Sequence, residues 1–226
     1  MAANLFKLAL TTALSLLLLS TLIAVYLLDQ LSVPVSKDSV FIIEPGSSLS
    51  TITKRLTRED LLPVNNIAFK AYAILTRDTG SIQAGQYQLK AGMPSQDVLA
   101  LFRSGKVIQH RITFPEGLRV QEWLARLQQA PYLESKTTGM TREDLRQFLG
   151  LATELEGSLF PDTYQYTLGD SDLDILELAV RKMKEVLGEE WSGRAMTVIS
   201  TPFDALVLAS MIEKETGYGP DREKIA

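Results

Sequence analysis

One pattern occurs three times in this sequence and restricts the fold more than any other feature. The segments FIIEPGSSLSTITKRL, YQLKAGMPSQDVLALF and ITFPEGLRVQEWLARL align on Gly46, Gly92 and Gly117. Ahead of each glycine large residues alternate: Phe41 and Ile43, Tyr87 and Leu89, Ile112 and Phe114. A period of two predicts a half-buried strand. The glycine permits a tight turn, and helical spacing follows. Six residues past it lie Ile52, Val98 and Trp123, and ten past it Leu56, Phe102 and Leu127. Those positions share one helix face. Ser48 and Ser95 suit helix N-caps, because a hydroxyl accepts from first-turn N–H groups. Between the first two copies, VNNIAFKAYAILTRDTG predicts a further helix starting at Asn65 or Asn66 and ending at Leu75. Residues 39–90 therefore read as strand, helix, helix, strand.

The N-terminus is of another kind. Residues 8–28, LALTTALSLLLLSTLIAVYLL, carry no charge and match the roughly 20 residues that a bilayer core requires. Lys7 precedes the run and Asp29 follows it, so the positive-inside rule places residues 1–7 in the cytoplasm and the bulk outside. A cleaved signal peptide competes with this reading, but its apolar core would be only about 7–15 residues. The expectation is a single-pass inner-membrane anchor, a linker over 29–38, and an extracytoplasmic (periplasmic) remainder.

Composition narrows the chemistry. The chain has 226 residues, 46% hydrophobic and 22% charged, with a net charge of −4. That is folded-protein composition without the basic footprint of nucleic-acid binding. With no cysteine and one histidine, His110, thiolate metal sites and a Ser-His-Asp triad are disfavoured. No metal and no cofactor are expected, and acid–base chemistry falls to carboxylates.

From His110 onward a second domain is predicted, sharing its entry strand with the first. TREDLRQFLG starts a short capped helix near Thr141, and DLDILELAVRKMKEVLGEEW is an amphipathic helix. Between them lies LEGSLFPDTYQYTLGDS, where Phe160, Tyr164 and Tyr166 share one parity. An extended piece would present them on one side for stacking on sugar rings, with Asp162 bonding hydroxyls. A core lid is the plainer alternative.

The last predicted helix begins at Thr201 as cap, with Pro202 at its first position and Asp204 in its first turn. Its run ALVLASMI is nearly all apolar, so burial on most sides is expected. At about 100° per residue, Glu215 continues the arc of Leu208, Met211 and Ile212, whereas Glu213 points roughly 160° away. A carboxyl ending an apolar arc is expected to have a raised pKa, the property of a general acid. Solvation at a frayed helix end is the competing explanation.

Two resemblances add to this. The strand, PG turn and helix of the first copy resemble the LysM carbohydrate-binding module, which suggests a LysM-like subdomain over residues 39–107, either as scaffold or as a binder of N-acetylglucosamine. LASMIEKETGYGPDREKIA, PEGLRVQEWLARL and LEGSLFPDTYQY resemble, in order and spacing, the recurrent segments of the endolytic murein transglycosylases, the YceG-like (MltG) family. That resemblance implies an α+β chain: anchor, LysM-like subdomain, then over 108–226 the first part of a mixed α/β catalytic domain. It further implies cleavage of nascent peptidoglycan strands between N-acetylmuramic acid and N-acetylglucosamine, leaving 1,6-anhydro ends. The second glutamate of the family's E-K-E-T motif, its catalytic residue, falls on Glu215. Implied partners are peptidoglycan glycan strands, the inner membrane and cell-wall synthases (penicillin-binding proteins), with no nucleic acid. Family members continue beyond this helix, so a C-terminally truncated chain is expected. A non-catalytic, membrane-anchored peptidoglycan-binding protein is the alternative.

Overall fold

The computed structural model describes residues 2–75, 82–194, 199–216 and 221. The chain divides into two compact units, Met1–Ile108 and Gln109–Ala226. In both, the glycine-centred unit is the building block. Strands β1 (Ser39–Ile43), β2 (Gly85–Leu89) and β3 (His110–Thr113) lead to helices α2 (Leu49–Arg58), α4 (Ser95–Ser104) and α5 (Val120–Gln129). Gly46, Gly92 and Gly117 turn the chain at φ +76°, +83° and +76°. A methyl there would meet no atom within 4 Å, so backbone conformation and not space demands glycine. Ile52, Val98, Trp123, Leu56, Phe102 and Leu127 are all buried.

In the first unit β1 and β2 pair antiparallel, with Phe41 opposite Tyr87. α3 (Asn66–Leu75) completes the expected strand-helix-helix-strand order. The Asn65 side chain caps α3 by accepting from the N–H groups of Ile67 (2.8 Å) and Ala68 (3.3 Å). Phe102 joins the two strands through its ring, 5.8 Å from Phe41 and 5.0 Å from Tyr87 between centroids. The Ser48 side chain accepts from Thr51 N–H at 3.1 Å, as an N-cap should. Ser95 does not cap α4. Pro94 holds that position, and the Ser95 hydroxyl donates to Gln30 O at 2.8 Å.

That bond belongs to helix α1 (Ala2–Leu31), the one described helix long and apolar enough to cross a membrane, over Leu10–Gln30. Gln30 also accepts from Asn65 N–H at 2.9 Å through its side chain. Beyond it, Val35 is buried and exchanges backbone bonds of 2.9 Å with Met93 O and Gly92 N–H. The stretch expected as a linker is thus built into the first unit, because its alternating valines find an apolar seat.

In the second unit the third copy is paired differently. β3 bonds antiparallel to β4 (Thr163–Tyr166), with Ile112 opposite Tyr164. Its ladder lies within this unit, and just ahead of it, at the end of the first unit, Ile108 N–H donates to Gln86 O of β2 at 2.7 Å. Phe114 stacks on Trp123 with centroids 3.7 Å apart and planes 2° from parallel. The helices α6 (Arg142–Phe148), α7 (Asp172–Gly193) and α8 (Pro202–Glu215) all start alike. Thr141, Ser171 and Thr201 cap them, and Asp144, Asp174 and Asp204 reach back to the cap backbone N–H at 2.8, 2.7 and 3.1 Å.

Asp172, at the first position of α7, is fully buried. Its carboxylate accepts from Lys136 N–H (2.8 Å), Thr137 N–H (3.2 Å) and the Thr137 hydroxyl (2.6 Å). A buried charge requires such partners, and these fasten the 134–137 loop to α7. Asp172→Ala should destabilise the second unit by about 3 kcal/mol, since the loop donors lose their acceptor without regaining water; urea unfolding measures it.

Acid should weaken the same unit. The Ser171 hydroxyl, then its N–H, hold the Asp174 carboxyl below the ordinary range. Hydrogen bonds from Arg146, then Gln147, bring Glu143 down to about 2. A carboxyl whose folded pKa is depressed stabilises above its unfolded value of about 4 and loses that contribution as pH falls through the folded one. The urea midpoint should therefore fall from about pH 4 toward 2, with a shallower fall in Asp174→Asn.

Candidate active site

The three segments with family resemblance meet within the second unit. α8 carries Glu215 at its C-terminal end. One residue earlier, the Lys214 ammonium donates to Gly117 O at 3.3 Å, so the last turn of α8 reaches the PEG turn ahead of α5. Farther back on α8, Leu206 lies over Gly157. A methyl on Gly157 would stand 3.3 Å from Leu206 Cδ2, at a φ of +80°. Glycine is needed here for both conformation and approach. Beside it, the Glu156 carboxylate accepts the N–H of Val120, the first residue of α5, at 3.2 Å. Glu122 takes the neighbouring Arg119 N–H at 2.7 Å. Both carboxylates sit where the dipole of α5 favours negative charge.

α8 is far more open than its composition suggests. None of its residues is buried, Met211 is 60% exposed, and Glu215 and Lys214 are exposed. The apolar run was expected to be buried on most sides. Here it packs through one side only, and the burial on which a desolvated Glu215 depended is not provided by the described residues. Phe203, Val207 and Met211, spaced four apart, form an exposed apolar stripe.

The remaining predicted residues separate into two groups. Tyr164 and Tyr166 alternate inward from β4 and are buried at 7% and 3% exposure. Their hydroxyls donate to Phe160 O (2.5 Å) and Pro131 O (3.1 Å). Burial pushes the Tyr164 phenol far up, and its ring tilts against Phe114 and Trp123. Neither ring offers a face to a sugar, so the sugar-stacking expectation fails for these two and the core-lid alternative describes them. Phe160 and Asp162 precede the strand and stay half-buried. Asp162 is paired with Lys182, which together with the Thr163 N–H keeps its carboxyl below the ordinary range. The same ammonium stands 5.2 Å from the Phe160 ring centroid, a cation–π distance. Beside them runs a groove of about 500 Å³ between β4 and α7.

Glu156, Gly157 and Lys214 are the residues that sequence reasoning passed over. The only available signal was their place inside the LEGS and EKET segments. The bonding partners of Glu156 and Lys214 lie 36 and 97 residues away in the chain, and Gly157 meets Leu206 from a separate helix.

In the first unit, a groove of about 580 Å³ opens beside the Gly46 turn, lined by Glu44, Ser47, Ser50, Lys70 and Ile74 among others. Lys70 Nζ donates to the Ser50 hydroxyl at 2.7 Å across it.

Comparison with known proteins agrees with the sequence motifs. A Bacillus subtilis protein named endolytic murein transglycosylase is 26% identical over 215 residues, covering 85% of this chain. The chain spans 59% of that relative's length. A crystal structure of a Listeria monocytogenes protein described as yceG-like aligns over 82% of this chain and 67% of its own, with 22% identity and a TM-score of 0.37. The model of the YceG-like family matches residues 41–226, taking in all three glycine-centred copies and α8, and the chain belongs to that family.

Proposed function

We propose that the chain is a membrane-anchored lytic transglycosylase of peptidoglycan, with Glu215 as its general acid and base. The observation that carries this reading is the convergence of the three family segments around the Gly117 turn, which leaves Glu215 exposed at the end of α8. The name of the Bacillus subtilis relative supplies the substrate class and the mode of cleavage within a strand. Glycan strands are the substrate, and the bond broken joins N-acetylmuramic acid to N-acetylglucosamine.

In its protonated form Glu215 donates to the leaving glycosidic oxygen. The carboxylate left behind takes the proton of the muramic C6 hydroxyl as that oxygen closes on C1. The product is a 1,6-anhydro end, and the carboxyl returns to its starting state. Hydrolases that admit water or form a covalent intermediate need two carboxyl groups. An internal nucleophile has a high effective concentration, so one group suffices. Phe160 and Asp162 are proposed to meet the sugar flank, Phe160 with a ring edge and Asp162 with its carboxylate.

α1 is read as the single inner-membrane span, oriented by Lys7 with the N-terminus in the cytoplasm and both units outside. Cleaving nascent strands there would end their elongation, and synthases of the penicillin-binding class are the corresponding partners.

Glu215→Gln should reduce release of anhydro-muramic ends from uncrosslinked glycan strands by about 10²–10⁴-fold, with the fold unchanged by circular dichroism. Mass spectrometry of the ends reads it. Reducing ends in place of anhydro ends would mean hydrolysis and a second carboxylate.

A second reading rests on the first unit. Its strand-helix-helix-strand order and the groove beside Gly46 support a LysM-like module over 39–107 that binds N-acetylglucosamine and delivers the strand, with or without catalysis by the second unit. Lys70→Glu should weaken binding of N-acetylglucosamine oligomers in calorimetry by about tenfold, the size of one charge-assisted hydrogen bond. Unchanged affinity would assign the first unit to scaffold.

A further inference from the structure

We infer that Glu156 is a positioning residue for Glu215, acting through the Gly117 turn; this rests on Glu215 being the general acid. Glu156 stands at the tip of a tight turn pinned on both sides. Leu155 and Leu159 are buried, Ser158 N–H donates to Leu155 O at 3.1 Å, and Gly157 adopts φ +80°. The carboxylate is held at the start of α5 by Val120 N–H, at 3.2 and 3.4 Å to its two oxygens. Three residues back along the chain, Gly117 O receives the ammonium of Lys214. The segment from Gly117 to Val120 is therefore clamped at both ends, by Glu156 on one and by Lys214 on the other. Glu215 is the next residue after Lys214. Leu206 resting on Gly157 ties the same loop to the body of α8. The general acid is thus registered against α5 through two hydrogen bonds and one close approach.

Both side chains are exposed. Exposed charges contribute little to stability, so these bonds matter for where groups stand more than for whether the unit folds. Displacing a reacting group by about 1 Å costs on the order of 10²-fold in rate. A loosened turn should lower kcat and leave KM alone, because the sugar contacts elsewhere are untouched.

The test uses the full chain and uncrosslinked glycan strands, with kcat and KM for anhydro-end release. Glu156→Ala and Lys214→Met should each lower kcat by about tenfold or more, with KM within about twofold. Glu156→Gln keeps an acceptor oxygen for Val120 N–H and should restore most of the loss. The double variant Glu156→Ala, Lys214→Met should be no slower than the slower single, since both break one linkage. Multiplicative losses, an unaffected Glu156→Ala, or a Gln variant as slow as Ala would each overturn the proposal. A second measurement does not depend on cleavage. In 15N spectra, Glu156→Ala should shift the Glu215 amide resonance as Lys214→Met does, and an unmoved Glu215 amide overturns the proposal even in an inactive chain. Full activity of Glu215→Gln, by contrast, would overturn the general-acid reading and this inference together.

Discussion

A glycine that turns a strand straight into a helix is the device on which both units depend. At φ near +80° the chain reverses within two residues. The helix must then lie back over the strand that led into it. Any other residue pays the left-handed penalty, roughly 1–2 kcal/mol. This device fixes the distance from turn to helix start at three residues in every copy. The sixth and tenth residues after the glycine then face the sheet, whether they are Ile52 and Leu56 or Trp123 and Leu127. The core side chains differ widely among copies because the turn and not their shape sets the register.

What differs between the copies is the partner of the strand. β1 and β2 satisfy one another, and α2, α3 and α4 close the first unit around the rings of Phe41, Tyr87 and Phe102. The third copy finds its partner in β4, and with it the aromatic trio Phe114, Trp123 and Tyr164. That choice has a consequence for function. Because β4 spends its tyrosines on the core, the residues left accessible there include the half-buried Phe160 and Asp162 ahead of the strand and the exposed Thr163 and Gln165 on it. The PEG turn of the same copy is also the one that α8 reaches. A scaffold turn in the first two copies becomes, in the third, a support for the candidate acid.

Stability and site are drawn from different parts of the second unit. Asp172 and the capping Asp174 carry dense, short hydrogen bonds around the start of α7. α8 has a strong cap at Thr201 but no buried residue. A helix with a well-made start and an open body fits the proposed function, in which a glycan strand would lie along its flank. Its apolar stripe of Phe203, Val207 and Met211 shows how far composition alone misleads: an apolar helix is buried only where something covers it.

Local rules wrote much of this protein into its sequence. The strands, the glycine turns, the helix that begins after Asn65, the caps at Ser48, Thr141 and Thr201, and the apolar span near the N-terminus all follow from interactions within a few residues. Those interactions need no distant partner. Tertiary structure decided the rest. Ser95 gives up its cap to reach Gln30, Val35 is drawn into the first core, β3 pairs with β4, and Glu156 and Lys214 grip one turn from opposite sides. Each of these depends on a partner at least several tens of residues away. The free energy that selects such partners comes from burial and hydrogen bonding in the assembled unit. Residue type at position 156 said that a carboxylate was there; only the folded chain says that it holds the N–H of Val120.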